Sequence, residues 1–493
     1  MTATDRLQRK PRPGSRMTSS DALWWYAEEA TPRLRPLIAG LLILDRAPDR
    51  ERLRSSVLRW IARLPHLRER VVDPWPFGLP EWEDDREFDL DYHLRALVLP
   101  EPATDRHLFD FAAAVFATPL DHLRPLWEAY LIEGLENGRA ALFIKVHHCV
   151  MDGVGSLAGF EALTQAHRAD PVRAPRLPPL RPSRPRAVRL ARLVRDVLGD
   201  AAAVFGGAAG FGIRALQGPG SVAQEIVHPI RGVGGLLRDL RAPSVHDPLA
   251  DAATGIGRRL DGLTLALPRL RRIKEALGVT LNDVVLAVVA GAVGRYHKHR
   301  DIQVEELRCM VPVNLRQDDE RNAFGNRVGM CNIALPVAEA DPLVRLDRVR
   351  AQMLTAKADR RSGAYPILLS ALGFTPSFVI RMIAQRTTGH LNLVCTNVPG
   401  PPHVRYLAGA KIEAIYPFAA VAEGMPLTIA LMSYGDVFGV GIDTDPAAIP
   451  DPERVHRYLE AVIDDLEARV LSSSGGERPT AAVTSTKNRQ IGR

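Results

Sequence analysis

The stretch Val146-His147-His148-Cys149-Val150-Met151-Asp152-Gly153 limits this chain more than any other. Ahead of it, Ala141-Leu142-Phe143-Ile144-Lys145 is an apolar run of strand length; behind it, apolar residues from Ser156 to Leu163 recur at helical spacing. The pattern predicts a strand ending at two histidines, then an Asp-Gly turn into a helix. A strand end is a rigid mount that still faces a cleft. Successive strand residues point to opposite faces, so adjacent histidines do not aim at one small substrate together. One is expected to act and the other to hold the structure.

The neighbouring sequence builds that strand. Trp127-Glu128-Ala129-Tyr130-Leu131-Ile132 reads as its partner, and the Asn137-Gly138 pair between the two runs is a strong hairpin signal. Such a hairpin delivers His148 at its far end. Upstream, Ser19-Ser20-Asp21 offers cap residues for a short aromatic helix bearing Leu23, Trp24, Trp25 and Tyr26. Residues 37–44 read as a buried strand, residues 49–64 as a helix capped by Asp49, and residues 74–94 as loop plus an edge strand. Residues 108–116 form a helix.

The second half reads as α/β again. A strand at 263–267, a helix at 270–277 and an all-round apolar, hence buried, helix at 284–296 lead it. Strands follow at 308–314 and 328–335, with a turn at 322–327 between them and a helix at 343–358 after them. Strands at 427–434 and 437–443 and a closing amphipathic helix at 452–470 complete it.

At 493 residues the chain is too long for one ordinary domain. The reading divides it into a disordered arm (1–16, with Met17 a candidate start), a first domain (17–170), a crossover (171–245), a second domain (246–471) and a disordered tail (472–493). The net charge of +7 belongs to the crossover, whose twelve Arg face four acidic residues. Within it, residues 188–198 set Arg189, Arg192 and Arg195 against an apolar face. That is an amphipathic basic helix, suited to packing on its own domain or to peripheral docking on an anionic membrane or lipid droplet. Nucleic acid is not expected, since Phe205 and Phe211 are its only aromatics. Cys149, Cys309, Cys331 and Cys395 show no CxxC spacing, which fits a reducing cytoplasm. No run reaches the ~20 apolar residues of a membrane span, and the N-terminus lacks a secretory h-region.

A neutral imidazole takes a proton from an alcohol or amine as that group attacks a carbonyl, so His148 suits acyl transfer without an acyl-enzyme. Asp152 would fix the turn or orient the ring, and Gly153 lets a substrate approach the main chain. Other chemistries fit less well. No G-x-S-x-G elbow, P-loop or G-x-G-x-x-G is present around Ser156. No metal is expected, because His147 and His148 diverge along a strand. Cys149 faces away from His148 and reads as core.

His147-His148-x-x-x-Asp152-Gly153 resembles the HHxxxDG signature of the wax ester synthase/acyl-CoA:diacylglycerol acyltransferase family, within the chloramphenicol acetyltransferase-like acyltransferases. Condensation domains of peptide synthetases share that signature, but other blocks narrow it. Pro119-Leu120-Asp121 with Arg124-Pro125-Leu126-Trp127-Glu128 resembles the family's PLD…RPLW block. Asn282-Asp283 is similar to its ND block, and Thr396-Asn397-Val398-Pro399-Gly400-Pro401 to its SNVPGP block, with Thr for Ser. The likeness runs in order over residues 17–470. It implies an α/β protein of two chloramphenicol acetyltransferase-like domains, each a mixed sheet with helices, and an active site between them. It implies acyl-CoA as co-substrate with no cofactor, a diacylglycerol or long-chain alcohol acceptor, and His148 as general base beside His147. Asp152 would pair with an arginine such as Arg316; Asn282, Asp283 and Asn397 would support the interface. The same resemblance leaves open a condensation-type acyltransferase of secondary metabolism, or a catalytically silent lipid-droplet protein.

Overall fold

The computed structural model describes residues 16–30, 35–73, 79–151, 153–182, 188, 245–314, 328–361, 391–420 and 424–474. In chain order the elements are α1 (Ser19–Ala30), β1 (Leu37–Leu44), α2 (Arg50–Arg63), β2 (Glu69–Val72), β3 (Glu81–Asp84), α3 (Leu90–His93), β4 (Leu94–Val98), α4 (Asp105–Ala117), β5 (Trp127–Glu133), β6 (Ala140–His147) and α5 (Gly153–Leu163). After the crossover come α6 (Pro248–Ala252), β7 (Arg259–Ala266), α7 (Leu267–Leu277), α8 (Leu281–His299), β8 (Leu307–Asn314), β9 (Val328–Leu335), α9 (Pro342–Arg361), β10 (Leu393–Val398), β11 (Tyr406–Leu407), β12 (Ala410–Ala419), β13 (Leu427–Tyr434), β14 (Val437–Thr444) and α10 (Pro452–Ser474).

Two six-stranded mixed sheets organise the chain, ordered β11-β12-β1-β6-β5-β4 and β7-β14-β13-β10-β8-β9. Each carries its own apolar core. In the first, β5 and β6 are the predicted antiparallel hairpin, and Asn137 and Gly138 turn it at φ 62° and 69°. Asp49 caps α2, accepting from Arg52 N at 2.8 Å. At α1 the cap lies one residue earlier than the serines suggested. Thr18 Oγ1 accepts from Asp21 N at 3.2 Å and donates to the Asp21 carboxylate, so Asp21 is the reciprocal partner. In the second half α8 is buried nearly all round, as its composition required. The predicted turn at 322–327, the basic helix at 188–198, the arm and most of the tail lie outside the described residues.

Residues 406–419 were not read as strands, and they interlock the halves. β12 leaves the second half, pairs antiparallel with β1 from Ile38↔Ala419 to Leu44↔Ile412, and joins the first sheet. There it buries Ile412, Ile415 and Phe418 in the first core. Its other side presses on the second sheet. A Cβ on Gly439 or Gly441 of β14 would overlap the carbonyl oxygen of Ile415 or Pro417, and a Cβ on Gly262 of β7 would meet the rings of Phe109 and Tyr416. Gly439 and Gly441 therefore let the sheets touch main chain to main chain, and Gly262 makes room for two rings. Around that contact Arg106 reaches Leu260 O at 2.7 Å and Glu453 at 3.0 Å, and Arg259 reaches Glu453 at 2.8 Å.

Helix α1 touches both halves as well. Ala22, Trp25 and Tyr26 enter the first core, while Ala27 and Leu23 meet Leu391, Val394, Met425 and Met310 of the second. Among the described residues no single helix is long and apolar enough to cross a membrane.

The glycine contact yields a stability prediction. Gly441→Ala forces main chain apart and should cost at least ~2 kcal/mol in urea unfolding. Gly40→Ala in β1, whose added Cβ would meet nothing closer than Leu42 Cδ1 at 3.7 Å, should cost under about 1 kcal/mol.

Candidate active site

β6 ends at His147, whose N–H donates to Leu126 O at 3.0 Å; the next N–H, that of His148, donates to Pro36 O at 2.8 Å. The block around Trp127 is what fixes this strand end. Leu126 and Trp127 are fully buried, and the Trp127 indole N–H donates to Leu67 O at 2.7 Å. Glu128 lies 3.0 Å from the buried Lys145 Nζ, which also donates to Val115 O and Thr118 O. Burial depresses the Lys145 pKa, and the Glu128 carboxylate opposes that. The ammonium is thus paired, as a buried charge must be.

The two histidines differ in what their nitrogens already do. His147 is fully buried; Nδ1 accepts from Cys149 N at 3.1 Å, and Nε2 lies 3.2 Å from Glu28 Oε2. That defines its tautomer, with the proton on Nε2. Both nitrogens are committed. His148 is half-buried, and its ring stacks on Trp24 at 4.3 Å between centroids and 22° between planes. Its Nδ1 is sealed from solvent and finds nothing beyond a weak contact with the main chain of His148 itself. Among the described residues Nε2 has no hydrogen-bond partner, and it is not sealed in that way, so it is the nitrogen left to meet a substrate. Burial, aided by the nearby His147, pushes the His148 pKa down to about 4. The ring is neutral at physiological pH.

Glu28, from α1, joins His147 to His122, whose Nε2 is 3.1 Å away. Burial alone would raise this carboxyl, but the hydrogen bonds from His122 and His147 prevail and hold it at about 2. Trp25 packs on His122 at 4.6 Å and meets His147 edge-on. Glu28 and Trp24 lie on the aromatic helix and His122 inside the PLD…RPLW block, and none of the three was singled out as a site residue.

The remaining candidates are placed as follows. Gly153 opens α5, whose far end Arg405 holds through Thr164 Oγ1 at 3.0 Å and Thr164 O at 3.1 Å. Asp283 is buried and closes a capping box with Thr280 at the start of α8, accepting from Thr280 N at 2.9 Å and Thr280 Oγ1 at 2.7 Å. Asn282 beside it is half-buried, and the cap is Thr280. Asn397 is the penultimate residue of β10, in register with Leu431, ahead of a loop in which Gly400 N donates to Ser433 Oγ at 3.1 Å. Asp152 and Arg316 lie outside the described residues. Cys149 is buried, its thiol pushed well above the ordinary range by that burial. Among the described residues no cluster of His, Cys, Asp or Glu is arranged to hold a metal.

Two interlocked mixed sheets, with paired histidines at a strand end, define the chloramphenicol acetyltransferase-like class of acyltransferases. The fold matches the wax ester synthase/diacylglycerol acyltransferase structure from Marinobacter aquaeolei with a TM-score of 0.61 at 24% identity, over 92% of this chain and 100% of that one. It also matches the first condensation domain of the CDA synthetase, with a TM-score of 0.58 at 19% identity over 94% and 98%. These are likenesses of fold. Residues 17–285 match the model of the wax ester synthase/diacylglycerol acyltransferase catalytic domain, and residues 324–467 that of the family's C-terminal domain. A putative diacylglycerol O-acyltransferase of Mycobacterium tuberculosis is 32% identical over 92% of this chain and 91% of its own length. The chain belongs to the wax ester synthase/diacylglycerol acyltransferase family, and is an O-acyltransferase.

The Glu28 carboxylate makes acid stability a measure of this site. Its pKa is lowered from 4.5 to about 2, so its stabilisation is complete above pH 4.5 and is lost as pH falls toward 2. Glu28→Gln should be about 3 kcal/mol less stable at pH 6, with the gap narrowing below pH 4.5 in chemical unfolding.

Proposed function

We propose that the protein transfers a long-chain acyl group from acyl-CoA to the hydroxyl of diacylglycerol, of a long-chain alcohol, or of both, with His148 as general base and no cofactor. The observation that carries this is the unequal satisfaction of the two rings: His147 is spent on Glu28 and Cys149, and Nε2 of His148 has no partner among the described residues. His148 Nε2 takes the acceptor O–H proton as that oxygen attacks the thioester carbonyl. The tetrahedral oxyanion collapses, the C–S bond breaks, and the thiolate leaves with the proton from His148. Ester and CoA result, with no acyl-enzyme. Asp152 and Gly153 shape the turn below the base, and Asn282, Asp283, Arg316 and Asn397 support the second half of the cleft.

Both acceptors are insoluble in water, so the same reading puts the work at a lipid surface on the cytoplasmic side. In this reading the Arg-rich stretch of residues 188–198 supplies the cationic face. Arg189, Arg192 and Arg195 replaced together by Gln should abolish flotation with anionic liposomes; unchanged flotation rejects the docking.

The reaction itself is tested by CoA release from palmitoyl-CoA across a panel of acceptors. Release should require diacylglycerol or a long-chain alcohol, and His148→Ala should lower it by about 10²–10⁴-fold. Wild-type turnover in that variant would sink the mechanism. The acid limb of kcat/KM should fall near pH 4, because the neutral ring persists down to its depressed pKa.

A further inference from the structure

Helix α1 is used twice. One side sets Trp24, Trp25 and Glu28 against the histidine pair. Another sets Leu23 and Ala27 against Met310, Leu391, Val394 and Met425 of the second half. Among the described residues, Trp24 is the one ring stacked on His148, and no side chain hydrogen-bonds to it.

We propose that Trp24 is a positioning residue for the acyl transfer: its indole face holds the His148 ring with Nε2 turned to the cleft and shields the ring from water. The inference rests on His148 being the base. A stack at 4.3 Å and 22° fixes the ring plane and leaves only a flip or a slide. The flip is discouraged because it would seal the reactive nitrogen against the protein. Through Leu23 and Ala27 the second half bears on the same helix, so the ring is steady only while both halves are seated.

The charge on the ring gives an independent readout. Burial keeps the ring neutral, and the part of that burial which Trp24 supplies is what the readout measures. The ionisable groups around the pair are His147 and Cys149 along the chain, Asp21 and Glu28 on α1, and His122 ahead of β5. His147 acts on His148 in the same direction as burial. Removing the indole opens the site to water and returns the ring toward its ordinary range.

The test is carbethoxylation of His148 by diethylpyrocarbonate, followed by peptide mass spectrometry across pH 4.5–8 in full-length wild type, Trp24→Phe and Trp24→Ala. The reagent reacts with neutral imidazole alone. Wild type and Trp24→Phe should stay reactive to pH 5, whereas Trp24→Ala should lose reactivity up to about tenfold between pH 8 and pH 5.5. An unchanged profile in Trp24→Ala overturns the shielding. Trp24→Leu keeps apolar bulk without a flat face and decides the orientation. Its kcat should fall about tenfold or more with KM for acyl-CoA nearly unchanged, and a wild-type kcat overturns that part. It also carries the test if Trp24→Ala does not fold. Carbethoxylation needs no turnover, so a failure of the base assignment, read from His148→Ala, is distinguishable from a failure of the Trp24 role.

Discussion

The contact on which the structure depends is the seat of β12 across the two sheets. A strand from the second half pairs with β1 along its length, and its carbonyls rest directly on Gly439 and Gly441. Most interfaces between domains slide, because side chains repack at small cost. This one has main-chain pairing on one side and main-chain contact on the other. Any hinge between the halves must break β-ladder bonds or open a gap at the glycines. The active site can therefore take residues from both halves and keep their spacing.

The histidine pair shows how the same residue type acquires two roles from its surroundings. Glu28 and the Cys149 amide commit both nitrogens of His147, which turns that ring into a brace between β6 and α1. His148 stands one residue beyond the last strand residue and, among the described residues, receives no such partner. The Leu126 and Pro36 carbonyls hold the two amides in sequence, so the difference lies in the side chains and not in a loose main chain.

Much of this was legible from residue spacing. The hairpin, the strand ending at His147 and the cap at Asp49 follow from local rules that the fold does not override. The parts that were not legible involve distant partners. Residues 410–419 alternate imperfectly around Pro417, and nothing in their own sequence says which sheet they join; the clue was the glycines of β14, which read as weak strand positions until something must fit against them. Glu28 looked like one more acid on a helix, and became a bridge only because His122 and His147 arrive from 94 and 119 residues away. Asp283 is a motif residue whose carboxylate closes the capping box of its own helix, so its support of the cleft would run through the start of α8.

The depressed pKa of His148 says more about water than about protons. An ordinary imidazole with pKa ~6.5 is already about three-quarters neutral at pH 7, so lowering the value to about 4 enlarges the active population by only about a third. The same shift weakens the ring as a base, which slows proton transfer. Taken alone, burial would be a poor trade. Its gain lies in the competing reaction: water is a nucleophile for the thioester, and a solvated base would activate it as readily as the intended alcohol. Under the proposed role of Trp24, a ring packed against the indole with Nδ1 sealed leaves Nε2 for the hydroxyl that an acceptor brings. Basicity is given up so that the hydroxyl within reach belongs to the acceptor.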